Sequence, residues 1–200
     1  MGYEVEIGVS NKHLHLSEAD LATLFGDGYK LTVKKDLKQS GQYAAEEQVD
    51  VVGPKGTIKA MRILGPTRRE TQVELAQTDA RGIGLSPPVR ESGDLEGSPG
   101  IKLIGPKGEI NTSKGVIVAL RHIHLSPGEA EKAGVKDKDW VTVRTKGTRP
   151  LIFENVLIRS IEGFFREFHI DTDEANAAGV VSGEFAEIIS NEPRRKAACE

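Results

Sequence analysis

Apolar and polar residues alternate with a period of two in short runs along most of this chain. The runs include YEVEIGV, YKLTVKK, QVDVVG, TIKAMRIL, TQVEL, GIKLIG, GVIVALRHIHL, DWVTVRT, LIFENVLI, FREFHI and FAEII. Such alternation puts successive side chains on opposite faces of a strand. Gly-Pro, Pro-Lys-Gly and Asp-Gly turns separate the runs, a pattern that predicts a barrel or sandwich of many short strands. Three segments lose the period and predict helices. SEADLATLFG opens on Ser17, carries Asp20 three residues on as a variant capping box, and closes on Gly26. SPGEAEKAG has Ser126 as its cap, Pro127 at the first helical position and Gly134 as its stop. TDEANAAG starts at Thr172 or Asp171 and ends on Gly179.

Two of these helices follow nearly the same word. NKHLHLS, from Asn11, and LRHIHLS, from Leu120, each place His-x-His before Leu-Ser, and together they use four of the chain's five histidines. The parallel continues past each helix, into YKLTVKK after the first and WVTVRT after the second. A further pair, VVGPKGTI and LIGPKGEI, repeats a hairpin turn within the span between the two words. Two related β units, each with a strand, a histidine word, a helix and a strand, are the expected architecture. The stretch Arg81 to Gly100 has no period and is dense in Gly, Pro and Ser, so it is a functional loop or a linker. Arg81 and Arg90 within it, with Arg62, Arg68 and Arg69 upstream, favour function, because the guanidinium fork suits phosphate.

Composition narrows the classes. The chain has 200 residues, enough for one large domain or two small ones with a self-sufficient core. A formal charge of −3 argues against a general nucleic-acid binder. No apolar run approaches the ~18 residues that span a bilayer, and a strand pattern begins where a signal peptide would lie. These features predict a soluble intracellular protein with neither nucleic-acid nor membrane partners. The single cysteine, Cys199, excludes an intrachain disulfide and sits in a charged tail that predicts no catalytic thiol.

Residues i and i+2 of a strand share a face, so His13 with His15, and His122 with His124, each aim two imidazoles at one point. Leu14 and Ile123 between them point the other way, toward packing. One such pair is commonly a polar sheet edge; two in a repeat predict metal ligands. His169, ending the strand FREFHI, is a natural third ligand for one pair. The other pair then needs a carboxylate or a substrate atom, with Glu70 and Glu74 of RRETQVEL as candidates and Glu74 better placed on the strand. Imidazole-rich ligation favours zinc, and three protein ligands per ion would leave an open position for catalysis. A di-metal hydrolase would need a proton shuttle, for which Asp171 or Asp173 would serve. A non-catalytic metal-binding protein would need closed four-ligand sites, and too few Cys and His are present for two of them.

SNKHLHLS, ILGPTRRETQVEL, LRHIHLS and FHIDTDEANAA together resemble the PduL-type phosphate acyltransferases, or phosphate propanoyltransferases, over about residues 3 to 189. The resemblance implies a mainly β fold of two small β-barrels, related here by the internal repeat and capped by short helices. It implies a discontinuous first barrel of residues 1–11 and 120–189, a second of residues 12–119, and a charged tail over 190–200. The implied activity is reversible acyl transfer between coenzyme A and inorganic phosphate, for propanoyl and possibly acetyl groups. Two divalent ions, zinc by preference, would be held by His13, His15 and Glu74 and by His122, His124 and His169. Arg68 matches the phosphate-binding arginine, and Ser10, Lys35, Arg62, Leu64, Ser92 and Asn176 match positions lining the coenzyme A and active-site pocket. The family's partners are acyl-CoA and phosphate, often with a homodimeric assembly. Members that degrade propanediol inside bacterial microcompartments usually carry a targeting helix before the first strand. Only Met1 and Gly2 precede Tyr3 here, so a cytoplasmic member, or one that has lost that helix, is expected.

Overall fold

The computed structural model describes residues 2–191. In chain order the elements begin with β1 (Tyr3–Ser10), β2 (His13–His15), α1 (Glu18–Phe25), β3 (Val33–Asp36), β4 (Tyr43–Val52), β5 (Thr57–Gly65), β6 (Gln72–Glu74) and α2 (Gln77–Gly82). They continue with β7 (Val89–Arg90), β8 (Lys102–Ile104), β9 (Glu109–Asn111), β10 (Val116–Ala119), β11 (His122–Leu125) and α3 (Pro127–Ala133). The last are β12 (Trp140–Thr145), β13 (Ile152–Ser160), β14 (Glu167–Asp171), α4 (Thr172–Ala178) and β15 (Phe185–Asn191). The chain divides into two compact units, one made of the stretch to Ser10 with that from Leu120 onward, the other of Asn11–Ala119. The expected tail starts too early, because Ser190 and Asn191 still belong to β15. Its remainder, with Cys199, lies outside the described residues. No helix among the described residues is long and apolar enough to cross a membrane.

The first unit is a closed barrel in the order β1-β14-β11-β13-β12-β15. Closure gives every strand two neighbours, so no edge is left to pair with another chain. Val5, Ile7, Ile123, Ile158, Phe168 and Ile170 fill its interior at 0–2 % exposure. In the second unit nine strands form one sheet, ordered β7-β10-β6-β2-β5-β4-β8-β9 with β3 added on β4. Its end strands do not pair with each other, so it is a half-barrel rather than a second closed one. Leu14, Leu16, Leu24, Ile63 and Leu103 anchor a separate core there.

The mainly β character is as the alternation predicts, and the strand pairing shows the repeat directly. Along β10-β6-β2-β5-β4 the neighbours run parallel, antiparallel, parallel and antiparallel. Along β1-β14-β11-β13-β12 the same four relations recur. Each repeat hands the strand before its histidine word to the other unit: β1 precedes β2 yet joins β14, and β10 precedes β11 yet joins β6. GVIVALRHIHL is therefore not one strand. It is cut at Leu120–Arg121, with β10 in the half-barrel and β11 in the barrel.

The predicted helices form where their caps lie. Ser126 Oγ accepts from Glu129 N while the Glu129 carboxylate reaches back to Ser126 N, and Gly134 ends α3 in the left-handed region at φ 69°. Asp171 and Glu174 make the same reciprocal box on α4, which ends at Gly179 with φ 64°. On α1, Ser17 Oγ accepts from Asp20 N, but the Asp20 carboxylate does not return to the cap. Thr71 stands between them, donating its hydroxyl to Asp20 and accepting from Ser17 N at 2.9 Å. YKLTVKK is a strand only from Val33 onward, and its residues are mostly exposed. The short α2 was not legible because Ala76 at its start supplies no side-chain cap.

Candidate functional site

Both histidine words form strands, and in each unit the His strand lies antiparallel to the strand that carries the third candidate ligand. In the half-barrel His13 pairs in register with Glu74 and His15 with Gln72. In the barrel His122 pairs with His169 and His124 with Glu167. Equivalent pairs on adjacent strands put four side chains on one face of the sheet. Leu14 and Ile123 turn to the opposite face and are fully buried, which fixes the register that presents the imidazoles.

In the half-barrel one ligand atom each from His13, His15 and Glu74 lies within 4.8 Å of the others. His13 Nδ1 is 2.7 Å from the Asn11 carbonyl and His15 Nδ1 is 3.2 Å from the Leu64 carbonyl. A carbonyl only accepts, so in each neutral ring the proton is on Nδ1 and the lone pair on Nε2. His13 Nε2 then faces Glu74 Oε2 at 3.5 Å, acceptor against acceptor. The other Glu74 oxygen accepts from Gln72 Nε2 at 2.5 Å and from Ser92 Oγ at 3.0 Å. Burial first, and then the Arg68 charge, push the His15 imidazole down to about 3, so that ring is neutral near neutral pH. Burial pushes the Glu74 carboxyl up, but His13, His15, Arg68 and the Ser92 hydrogen bond outweigh it and hold the group well below the usual carboxylate range. Arg68 is the permanent charge in that set. Lone pairs converging with their protons tied to the backbone are the donor set of a divalent cation, and these residues fit one.

Arg68 is fixed beside this cluster. Its backbone N–H donates to Leu16 O at 2.9 Å and its Nη1 donates to Ser92 Oγ at 3.0 Å. Ser92 and Gly93 come from the irregular 81–100 stretch, which packs within the half-barrel unit and does not link the two units. Gln72, 1 % exposed, donates to Glu74 and Ser92 and accepts from Gly93 N at 2.8 Å. Of the two carboxylates weighed from the sequence, Glu74 is in the cluster, and Glu70 is exposed and pairs with Lys114 at 2.9 Å. Arg62 donates to the carbonyls of Ala45 and Glu46, Leu64 supplies the carbonyl that holds His15, and Lys35 is exposed on β3. Arg69 and Arg81 are exposed, whereas Arg90 reaches Asp94 at 3.4 Å.

The barrel holds the second cluster, His122, His124 and His169, whose ligand atoms also lie within 4.8 Å of one another. Ring centroids are 4.7, 4.9 and 5.1 Å apart. His122 Nδ1 is 2.8 Å from Leu120 O, leaving its Nε2 lone pair toward His124 Nε2, also 2.8 Å away. His124 Nδ1 is buried with no hydrogen-bond partner among the described residues, and Phe164 covers the ring at 4.3 Å. Burial, with His122, His169 and Arg159 adding repulsion, holds His124 far below the ordinary imidazole range. This donor set also fits a divalent cation. His169 Nε2 is 2.7 Å from Glu167 Oε2. Ser10 ends β1 and Asn176 is exposed on α4. Asp171, weighed above as a shuttle, is committed to capping α4. Sequence reading missed Gln72 and Glu167, although each stands two residues before a ligand candidate on its strand.

A barrel and a half-barrel, each presenting His-x-His opposite a third ligand, define a β protein with two candidate cation clusters and an arginine fixed beside one. A family profile for phosphate propanoyltransferase matches residues 6–181. A phosphate propanoyltransferase of Thermotoga maritima is 59 % identical over 184 residues, covering 92 % of this chain and 88 % of the relative. Relatives of the same name from Clostridioides difficile and Rhodopseudomonas palustris are each 50 % identical, covering 92 % and 88 % of this chain and 88 % and 77 % of their own lengths. The chain belongs to the phosphate propanoyltransferase family and is an acyltransferase.

Proposed function

We propose that this chain is a metal-dependent phosphotransacylase interconverting an acyl-CoA, propanoyl-CoA above all, and phosphate with the acyl phosphate and coenzyme A. The observation that carries the reading is the half-barrel cluster: ligand lone pairs converge, and Arg68 is joined to Glu74 through Ser92. His13, His15 and Glu74 hold one divalent ion and His122, His124 and His169 the other, with zinc favoured by the imidazole-rich sets. Bound there, zinc supplies Lewis-acid charge stabilisation for the thioester oxygen and the sulfur.

Arg68 holds phosphate through two parallel hydrogen bonds and aims one oxygen at the carbonyl carbon. That oxygen forms the new C–O bond, the C–S bond breaks, and coenzyme A leaves as thiolate. Phosphate is partly dianionic near neutral pH, so the attack needs no strong general base, and no histidine is left over to be one. Ser92 positions the guanidinium, and Gln72 holds the face of Glu74 turned away from His13. Ser10, Lys35, Arg62, Leu64, Ser92 and Asn176 contribute to coenzyme A binding. No cysteine lies among the described residues, which agrees with direct transfer in a ternary complex. The reading extends to a homodimer working in the cytoplasm or inside a propanediol-degrading bacterial microcompartment.

Thiol release from propanoyl-CoA, measured with and without phosphate, tests the reading. Release that requires phosphate, with acyl phosphate formed in equal amount, is the expected result. Release indifferent to phosphate would make the protein a hydrolase, and a trapped acyl-enzyme would end the direct-transfer mechanism.

A further inference from the structure

The two clusters share a register but differ at the fourth corner, where the half-barrel has Gln72 and the barrel has Glu167. Glu167 is 8 % exposed, so its carboxylate is desolvated at a cost that its contacts must offset. The three imidazoles bring ligand atoms together without it. Its own direction is set by Gly8. In register β1 pairs Gly8 with His169, and a Cβ on Gly8 would stand 2.7 Å from Glu167 Cδ and Oε1. The carboxyl therefore leans over β1, and β14 lies between β1 and the His122–His124 strand. From there Glu167 Oε2 meets His169 Nε2 at 2.7 Å. With Glu167 as the acceptor in this contact, the His169 proton is on Nε2 and the lone pair on Nδ1.

We propose that Glu167 is a positioning residue that fixes the tautomer and ring orientation of His169, and that Gly8 is glycine to leave room for it. The proposal rests on the metal reading given under Proposed function, for its consequence though not for its geometry. His13, His15 and His122 each have Nδ1 against a backbone carbonyl that the fold supplies. His169 has a side chain in that role, so its ligand atom depends on one replaceable residue. A carboxylate behind an imidazole also raises the basicity of the ligand nitrogen, and losing such a partner costs metal affinity by about 10–100-fold.

Two measurements on the full chain decide the matter. The first is the His169 tautomer in metal-free protein, read from imidazole nitrogen shifts by NMR, which needs no metal and no activity. Wild type should show the Nε2–H form, whereas Glu167→Ala and Gly8→Ala should lose it. The second is zinc affinity by chelator competition in a His15→Ala background, where the half-barrel cluster is disabled. Glu167→Ala and Gly8→Ala should each bind about 10–100-fold more weakly. Glu167→Gln, whose amide oxygen still accepts from Nε2, should fall between them and the parent. Gly8→Ala leaves every cluster residue in place, so its result stands even if Glu167→Ala folds poorly. An unchanged tautomer in both alanine variants, or zinc binding as tight as the parent's, would overturn the proposal. Glu167→Gln as weak as Glu167→Ala would overturn it too, since that is the behaviour of a direct carboxylate ligand. A His15→Ala chain that binds no zinc would defeat the metal reading instead, and the tautomer would still judge Glu167.

Discussion

In the proposed mechanism Arg68 is the residue that holds phosphate. Its backbone is tied to Leu16 and its Nη1 to Ser92, so the guanidinium is held before substrate arrives. Arg68→Ala should lower kcat/KM for phosphate by about 100-fold or more, the scale expected of a lost oxyanion-type donor. Arg68→Lys should recover little, because an ammonium lacks the fork; steady-state kinetics with phosphate varied would check both. A second residue, outside the candidate ligand sets, gives a pH test. Burial pushes the Glu47 carboxyl up, but hydrogen bonds from its own backbone N–H, Tyr29 Oη and Thr32 outweigh it, and the group is held below its ordinary value of 4.5. A depressed carboxyl contributes stability above its unfolded value, and that contribution disappears as pH falls through the folded one. Glu47→Gln should therefore cost about 1–3 kcal/mol at pH 7, with the gap to wild type narrowing as pH falls below 4.5; denaturant unfolding followed from pH 7 into the acid range would show it. The five histidines were legible as ligand candidates because histidine is scarce and four of them repeat one word, and Glu74 was preferred to Glu70 because it lies on the strand. Gln72 and Glu167 were not, because a lone polar residue in a strand is ordinarily a solvated face. Reading two positions back from Glu74 and from His169 would have put each on the ligand face.

At the scale of elements, short strands and capped helices set where those side chains stand. Ile123 and Leu14 are the inward residues of the two His strands, both at 0 % exposure. Ile123→Ala should cost about 2–5 kcal/mol of barrel stability and loosen the second cluster with it, measurable as a lower denaturant midpoint together with weaker zinc binding. The helix starts at Ser126 and Asp171 were readable from the chain, since a cap is a local hydrogen bond. Pairing partners were not. The swap that sends β10 to the half-barrel and β11 to the barrel depends on contacts far apart in sequence, and the alternation in GVIVALRHIHL runs straight through the point where the chain changes unit. Closure of one sheet but not the other is likewise a property of pairing and has no local signal.

For the whole molecule, the repeat gives two copies of one device: a His-x-His strand set against a third candidate ligand on an antiparallel neighbour. The copies differ in where the carboxylate stands: as Glu74 among the candidate ligands in one, and as Glu167 behind three imidazoles in the other. On the proposed metal reading each copy joins strands distant in sequence through one cation, so removing metal should loosen both units. Stabilisation by a ligand at a thousand times its dissociation constant is about 4 kcal/mol, so chelation should lower the unfolding temperature by several degrees, and added zinc should restore it. The most direct test of the account is the metal content of purified protein by elemental analysis, in wild type, His15→Ala and His124→Ala. Two zinc ions per chain in wild type and one in each variant is the predicted result. A wild-type chain without bound metal, or variants that keep the wild-type content, would contradict it.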